Sequence, residues 1–196
     1  MEHWLGGLSA AEAAHLLTDW SFWRRDDQCA PDGDWHVWLL LAGRGFGKSR
    51  TGAAWVRAFA ESTPGGRIAL VGASLNEARQ VMVEGESGLL AIAGPKMRPV
   101  YESSLRRVSW PNGAVATLYS AAEPEGLRGP EHEAAWCDEI AKWPAADVAW
   151  DNLMLTMRLG VRPRVVATTT PRAVPLVRRL MAEEGVSVTR GATEAN

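Results

Sequence analysis

The distribution of apolar and polar residues predicts strands that alternate with helices along the chain. Short apolar runs bounded by glycine, proline or polar turns indicate buried strands. They fall at 38–42, 67–72, 134–137, 164–171 and 186–189. Stretches of helical composition follow residue 48 and span 76–83, 144–158 and 174–184. An earlier helix is predicted to open at Ser9, because Ser9-Ala10-Ala11-Glu12 has the spacing of a capping box.

Two segments carry more specific expectations. Residues 105–110 and 114–119 flank Pro111-Asn112-Gly113, and Asn-Gly between two apolar stretches is a strong signal for a β-hairpin. We therefore expect antiparallel strands from Val100 onward. In the helix at 144–158, we expect the inner face to consist of Val148, Asn152, Leu153 and Leu155.

The stretch that follows the first apolar run carries candidate chemistry. Gly43-Arg44-Gly45-Phe46-Gly47-Lys48-Ser49 connects a predicted strand to a predicted helix. Glycines let backbone N–H groups approach phosphate oxygens, and the helix then offers its positive N-terminal end to the anion. In such a cradle Lys48 reaches the β- and γ-phosphates, and the Ser49 hydroxyl binds Mg²⁺. Ala42 replaces the usual first glycine, which is tolerable if its φ is negative. The alternative is a glycine-rich turn without a ligand.

A second candidate element follows the apolar run at 134–137. Asp138 and Glu139 come directly after it, about 90 residues beyond the glycine-rich loop. In an NTPase, Asp138 would hold Mg²⁺ through water and Glu139 would polarise the attacking water. The alternative is a solvated strand end. Asp26-Asp27 lies in polar surroundings and Glu183-Glu184 near a predicted helix end, so neither pair competes and we favour the functional interpretation.

Two further candidates lie near these elements. Thr168, Thr169 and Thr170 end an apolar run, where hydroxyl groups can sense a γ-phosphate, although β-branched residues are also ordinary in strands. Gln28 lies in the connection before the first strand, and its amide can donate and accept as adenine's N6 and N7 edge requires. A surface or turn glutamine is the alternative.

Composition narrows the class of protein. The chain has 196 residues, 46% hydrophobic and 22% charged, which fits one globular domain. No apolar run approaches the ~20 residues of a membrane span, and we expect no membrane association. The N-terminus has no signal-peptide pattern, and two cysteines suit a reducing cytoplasm. The net charge of −2 means that whole-chain electrostatic attraction would not bring the protein to DNA.

Together these patterns predict an α/β fold with a mainly parallel sheet flanked by helices on both faces and an added antiparallel hairpin. In such folds the ligand chemistry lies at the carboxyl ends of the strands. Lys48, Asp138 and the threonines 168–170 all follow predicted strands, so the three signals support one another.

The combination resembles the ATPase domain of large terminase subunits from tailed phages and gene-transfer-agent particles. The resemblance rests on four segments: the glycine-rich loop with its flanks, Leu127-Arg128-Gly129-Pro130, Trp136-Cys137-Asp138-Glu139, and Ala167-Thr168-Thr169-Thr170-Pro171-Arg172. It covers the chain from about Trp20 to Arg190. It implies a P-loop NTPase of the RecA-like type, a motor that assembles as a ring on a portal and pumps double-stranded DNA.

The resemblance also implies roles for individual residues. ATP would be bound by Gly43, Arg44, Gly45, Phe46, Gly47, Lys48, Ser49 and Arg50, with Gln28 contacting adenine and threonines 168–170 coupling hydrolysis to motion. Mg²⁺ would be bound at Ser49 and Asp138, and Glu139 and Lys48 would be catalytic. Arg128 is expected to act as an arginine finger on a neighbouring subunit, because it lies in a loop bounded by glycine and proline. The alternative for Arg128 is an ion pair with Glu125 or Glu131.

The resemblance leads to expectations about organisation and partners. We expect residues 1–34 to form an N-terminal helix and an adenine-side segment, and residues 35–190 the NTPase core. Family members continue into a C-terminal nuclease, for which 196 residues leave no room. Expected partners are double-stranded DNA, the portal and procapsid, and the small terminase subunit. The location would be the host cytoplasm, with a monomer in isolation and a ring during packaging.

Three other interpretations remain. A helicase-like remodelling ATPase shares these motifs but needs a second motor domain on the same chain. A nucleotide-binding assembly module without activity would be expected to have lost residues such as Lys48 and Glu139. A small-molecule kinase of this loop type seldom places a base directly after its metal-binding aspartate.

Overall fold

The computed structural model describes residues 19–191 together with Ser9, Glu12 and Leu16. Its centre is one eight-stranded sheet in the order β3-β4-β5-β2-β6-β7-β1-β8. The strands are β1 (Val37–Ala42), β2 (Arg67–Gly72), β3 (Val100–Glu102), β4 (Arg107–Ser109), β5 (Val115–Ser120), β6 (Ala134–Cys137), β7 (Arg164–Thr169) and β8 (Val186–Gly191). The helices are α1 (Trp20–Trp23), α2 (Lys48–Ser62), α3 (Leu75–Glu77, continued by a π-helical turn over Ala78–Val83), α4 (Ala146–Thr156) and α5 (Pro175–Ala182).

The predicted α/β architecture is confirmed. Strands β1, β2, β5, β6, β7 and β8 are parallel, whereas β4 pairs antiparallel with both β3 and β5. The predicted hairpin is the β4–β5 pair, and its turn is closed by the amide of Gly113, which donates to the carbonyl of Trp110 at 3.0 Å. Gly113 has a φ of +84°, a conformation in which a residue without a side chain is favoured.

Helices cover both faces of the sheet, and each face has its own apolar core. On one face, α2 and the π-helical turn cover the side chains of Trp38, Leu40 and Trp136. A side chain at Gly52 of α2 would meet the Trp136 ring at 2.3 Å, so this glycine allows the helix to approach β6 closely. On the other face, α4 and α5 cover alternate residues of the same strands, as expected for strands that are buried on both sides.

Of the four residues expected on the inner face of α4, two are buried and two are not. Asn152 and Leu153 are buried, but Val148 is 51% exposed and Leu155 is 70% exposed. The residues that α4 buries together with these two are Ala149, Trp150 and Thr156. The large Trp150 side chain occupies the interface with the sheet, and this rotates the exposed stripe of the helix onto Val148 and Leu155.

Strand order brings the three predicted elements to one edge of the sheet. β7 lies between β6 and β1, with Cys137 level with Ala167 and Leu41 level with Thr169. Because all three strands are parallel, Lys48, Asp138 and Thr170 follow their strands at the same carboxyl edge. For the helix predicted to open at Ser9, the reciprocal bonds of the capping box are present between Ser9 and Glu12, and most of its other residues lie outside the described part.

Candidate functional site

The glycine-rich loop runs from the end of β1 to the first turn of α2. Gly45 and Gly47 have φ values of +81° and +88°, and Gly47 is the residue directly before the helix. Ala42 ends β1 with a negative φ, so the alanine fits this position without strain. The loop therefore has two glycines in the left-handed conformation, and the alanine in place of the first glycine causes no strain.

Lys48 is buried at the centre of this edge, and only 8% of its surface is exposed. Its Nζ donates to the carbonyl oxygens of Ala42 and Gly43, each at 3.0 Å. It also lies 3.5 Å from Oε1 of Glu139. The structure thus brings together a lysine from one predicted motif and a carboxylate from the other, which lie about 90 residues apart in sequence.

Glu139 connects the loop to the end of β7. Its other carboxylate oxygen, Oε2, accepts hydrogen bonds from the backbone N–H and the hydroxyl of Thr170, both at 3.2 Å. Glu139 has a φ of +48°, which is uncommon for a residue with a side chain and is seen mostly where the surroundings enforce it. Thr169 supports this turn, because its hydroxyl accepts from the backbone N–H of Ala141 at 3.2 Å.

Asp138 is buried beside Glu139 and is held from two directions. The Thr168 hydroxyl donates to Oδ1 of Asp138 at 2.8 Å, and the Trp143 indole N–H donates to its backbone carbonyl at 3.0 Å. The pKa of Asp138 is raised to about 6, mainly by burial and also by the charge of Glu139. The bond from Thr168 and the charges of Lys142 and Lys48 oppose that rise.

Ser49 and Asp138 are the oxygen donors predicted to bind a magnesium ion. In the described part of the chain, no hydrogen bond reaches Oδ2 of Asp138, so that oxygen can bind a metal or a metal-bound water. Ser49 follows Lys48, and the contact between Lys48 and Glu139 brings the two short segments together. Hydroxyl and carboxylate oxygens are the ligands that Mg²⁺ prefers in nucleotide sites.

Gln28 lies against the loop and uses both ends of its amide. Its Nε2 donates to the carbonyl of Phe46 at 2.8 Å, and its Oε1 accepts from the backbone N–H of Arg25 at 3.0 Å. The Arg25 guanidinium donates to the same Phe46 carbonyl at 2.9 Å and lies 4.8 Å from the centre of the Phe46 ring. In this structure, the segment before β1 therefore holds the conformation of the glycine-rich loop.

Arg50 and Arg128 lie outside the Lys48–Glu139 contact. Arg50 is 5.5 Å from the Trp20 ring and lines a cavity of about 350 Å³ between α1 and α2. Burial and the charge of Arg57 lower the pKa of Arg50. Arg128 follows the short 3-10 helix Pro124–Leu127, pairs with Glu125 at 3.0 Å, and donates from Nε to Asn152 at 3.2 Å.

The remaining loop residues are in place, and three contacts were not predicted. Gly43, Arg44, Gly45, Phe46 and Gly47 connect β1 to α2, as the sequence predicts. The contacts of Arg25 with Phe46 and of Trp143 with Asp138 were missed, as was the position of Lys142 beside Glu139. Arg25 lies in no motif, and Trp143 lies five residues after Asp138 in a stretch without a recognisable period, so neither gave a signal.

A match to a protein-family model shows the family of this chain. Residues 39–188 match the model described as terminase large subunit, T4likevirus-type, N-terminal. The chain belongs to this terminase family. The resemblance inferred from the four sequence segments is therefore confirmed. No curated protein matches the sequence.

Solved terminase structures share the fold. The large terminase ATPase domain of Thermus phage P74-26 superposes with a TM-score of 0.67 at 11% identity, over 89% of this chain and 85% of that one. The large terminase of a thermophilic bacteriophage, in complex with ADP, gives 0.67 at 13% identity, over 90% of this chain and 44% of that one. The N-terminal domain of the DNA packaging ATPase from bacteriophage phi29 gives 0.60 at 18% identity, over 80% and 90%.

These likenesses establish the terminase fold for this chain, which spans less than half of the large terminase that was solved with ADP. None of the helices within residues 19–191 combines the length and the apolar character that crossing a membrane requires.

Proposed function

We propose that this terminase domain hydrolyses ATP with Mg²⁺ and that the reaction powers the packaging of double-stranded DNA into a procapsid. The observation that carries the proposal is the contact between Lys48 and Glu139, together with the bonds from Glu139 to Thr170. These contacts join the ends of β1, β6 and β7 at one point. Support also comes from the similar large terminase of a thermophilic bacteriophage, which is a complex with ADP.

In the proposed reaction, the loop amides from Gly43 to Gly47, together with Arg44, hold the phosphates. The Lys48 ammonium exchanges its carbonyl partners for phosphate oxygens. Ser49 and Asp138 would hold Mg²⁺, which would supply positive charge to neutralise the phosphates. Arg50 and Gln28 contact the nucleoside part of ATP. Gln28 must exchange at least one of its present partners, Arg25 or Phe46, to contact a base.

Glu139 acts as the general base for the attacking water. The water oxygen bonds to the γ-phosphorus while the bond from that phosphorus to the bridging oxygen breaks, and ADP keeps the electron pair. The proton of the water passes to the Glu139 carboxylate. Thr170 donates to the same carboxylate, and Thr168 and Thr169 hold Asp138 and the turn after Glu139. Loss of the γ-phosphate is therefore transmitted to the end of β7.

The proposal extends to partners and organisation. Residues 1–34 form the adenine-side segment and residues 35–190 the motor core, and DNA cleavage is not part of the function proposed for residues 1–196. The domain assembles as a ring on the portal of the procapsid, with the small terminase subunit and double-stranded DNA as further partners. In this assembly Arg128 acts on the ATP of a neighbouring subunit. The site of action is the host cytoplasm.

Two variants test the reaction. Lys48→Ala removes the cation that pairs with the phosphates, so we expect loss of ATP binding and of turnover. Glu139→Gln keeps the size of the side chain, so we expect ATP binding to remain while the rate of hydrolysis falls by ~10²–10⁴-fold. Nucleotide binding by calorimetry and phosphate release in the presence of portal and DNA provide the two readouts.

The results separate the candidate functions. Unchanged hydrolysis in Glu139→Gln would remove this residue from the mechanism. ATP binding by the unmodified chain without any turnover, even with portal and DNA present, would favour an assembly module instead. Turnover that single-stranded nucleic acid stimulates without portal would favour a helicase-like enzyme.

A further inference from the structure

The sheet edge farther from the proposed nucleotide site carries a local excess of positive charge. Strand β3 ends the strand order on that side, four strand positions away from β6. At about 4.8 Å between neighbouring strands, β3 lies roughly 19 Å from β6. Residues 96–107, which contain β3 and its flanks, have four cations against one carboxylate, so their net charge is +3 in a chain whose net charge is −2.

One of the four cations already has an acidic partner. Arg107 donates to both carboxylate oxygens of Glu102, at 2.9 and 3.1 Å, and the Ser109 hydroxyl donates to one of them at 2.7 Å. The bonds from Arg107 and Ser109 lower the pKa of Glu102, so this carboxylate stays charged and paired. Within residues 19–191, the other three cations are exposed and make no ion pair and no side-chain hydrogen bond, namely Lys96, Arg98 and Arg106.

The turn between β3 and β4 holds the backbone of Arg106 in a fixed position. Arg106 has a φ of +50°, which is uncommon for a residue with a side chain and persists where the surroundings enforce it. Its backbone N–H donates to the carbonyl of Ser103 at 3.2 Å, and its own carbonyl accepts from Leu118 of β5 at 2.8 Å. Glu123 lines the same cavity as Arg106, but these two described side chains form no ion pair. The guanidinium is therefore available to an anion outside the domain.

The spacing of these cations suits the phosphate backbone of a duplex. Arg98 precedes β3 by two residues, and Arg106 follows the strand by four. A three-residue strand with its flanks spans roughly 10–15 Å at about 3.4 Å per residue. One strand of duplex DNA has a phosphate every ~3.4 Å along the axis, so each cation can meet a different phosphate. Such contacts hold a duplex without reading its sequence, as a motor that moves any DNA requires.

We propose that the β3 edge binds the phosphate backbone of double-stranded DNA through Lys96, Arg98 and Arg106. The inference rests on the proposed packaging function, which names duplex DNA as a partner, and it adds the residues that contact this partner. Salt screens charges beyond about 8 Å, so the acidic remainder of the chain opposes the local attraction only weakly. Because the surface lies away from the ends of β1, β6 and β7, DNA and ATP can be bound at the same time.

The affinity for a short labelled duplex, measured by fluorescence anisotropy at several salt concentrations, tests this surface. The neutral variant combines Lys96→Gln, Arg98→Gln and Arg106→Asn, since asparagine tolerates a positive φ. We expect its affinity at low salt to fall at least about tenfold. The slope of log affinity against log salt should fall by about 2–3, because each lost phosphate contact contributes about 0.9.

Two further variants keep the test decisive. The charge-matched control combines three exposed arginines that pair with carboxylates elsewhere, Arg158→Gln, Arg162→Gln and Arg179→Gln, and it should bind DNA nearly as well as the unmodified protein. Lys96→Gln with Arg98→Gln leaves the turn at Arg106 unchanged, so it decides the matter if the neutral variant fails to fold. Its salt slope should fall by about 2.

The outcomes separate this inference from the proposed function. Equal DNA affinity and salt slope in the neutral variant and the charge-matched control would overturn the DNA surface, as would no DNA binding by the unmodified protein, alone and with portal. Loss of portal or small-subunit binding with DNA affinity retained would assign the surface to a protein partner instead. Reduced ATP affinity in the neutral variant would also overturn it. Failure of the unmodified protein to hydrolyse ATP would contradict only the proposed function, because the DNA titration needs no nucleotide.

Discussion

Two basic residues in this domain each pair with a glutamate, yet their surroundings differ. Lys48 lies 3.5 Å from Glu139, and their side chains are 8% and 17% exposed. Arg128 lies only 3.0 Å from Glu125, but their side chains are 61% and 70% exposed. The shorter contact is the weaker one, because exposed ion pairs are screened by water and contribute about 0–1 kcal/mol.

The comparison shows that the partners of Lys48 are fixed by the fold, whereas the contact of Arg128 with Glu125 is easily broken. The partners of Lys48 come from two strand ends and are fixed by the sheet, so that site is assembled within a single subunit. The pair between Arg128 and Glu125 is local, three residues apart, and costs little to break. To act on a neighbour's ATP as proposed, Arg128 would exchange both Glu125 and Asn152, which accepts from its Nε at 3.2 Å, for phosphate oxygens. The predictions below probe this difference, starting with the largest expected effect.

Arg128→Ala should leave ATP binding by the isolated domain nearly unchanged and should lower hydrolysis in the assembled motor by ~10³–10⁵-fold, as for a finger supplied in trans. Hydrolysis is measured with portal and DNA present. Adding Glu139→Gln subunits, which have an intact Arg128, should restore turnover at the Arg128→Ala sites.

Glu125→Ala is the matched control for Arg128, since it removes the observed ion pair and leaves the arginine. We expect nearly full activity from this variant in the assembled motor. Equal defects in Glu125→Ala and Arg128→Ala would show that the pair has a structural role, and full activity of Arg128→Ala would direct attention to Arg44 or Arg172.

The segment after Arg128 contains a buried histidine that should make stability depend on pH. His132 is 3% exposed, lies 2.9 Å from the Thr156 hydroxyl, and has a pKa lowered to about 4, mainly by burial. Its neutral form is thus favoured in the folded state. The free energy of unfolding therefore has its full value, with respect to His132, above pH 6.5. It decreases by up to about 2–3 kcal/mol as the pH falls toward 4, because the unfolded chain binds a proton at this histidine more readily than the folded one.

Urea unfolding between pH 7.5 and 4.5 measures this effect. The stability of His132→Asn should be lower than that of the unmodified protein at pH 7.5 and should decline less steeply on acidification. Parallel stability curves for the two proteins would contradict the assignment of the pH dependence to His132.

Trp143 donates to the carbonyl of Asp138, next to the proposed general base. Trp143→Phe should lower the rate of hydrolysis about tenfold and change ATP affinity less than about twofold. Loss of the indole N–H frees the Asp138 carbonyl and relaxes the turn that aims Glu139, and small misplacements of a catalytic group are costly. Turnover number and ATP affinity are measured separately.

Trp136→Phe is the control for Trp143. The indole N–H of Trp136 is buried without a hydrogen-bond partner among the described residues, so its removal breaks none of the observed hydrogen bonds. A similar loss of turnover in both variants would mean that ring packing matters, and that the bond to Asp138 does not position Glu139.

Sequence patterns predicted most of the elements because the relevant forces are local. The Asn-Gly turn at residues 112 and 113 and the strand–loop–helix order around Lys48 depend on neighbouring residues. The orientation of α4 was predicted less well, because its apolar residues nearly encircle the helix. Only the packing of Trp150 against the sheet determines that Val148 and Leu155 face solvent.

The sequence by itself determined the parts of the candidate site, namely a glycine-rich loop ending in Lys48 and Ser49, a strand followed by Asp138 and Glu139, and a hydroxyl triplet at 168–170. The tertiary structure decided how they meet. The order β6-β7-β1 places Thr168 on Asp138, Thr170 on Glu139 and Glu139 on Lys48. It also bound Gln28 to Phe46. Contacts between residues so distant in sequence depend on which strands become neighbours, and the packing of the whole chain sets that order.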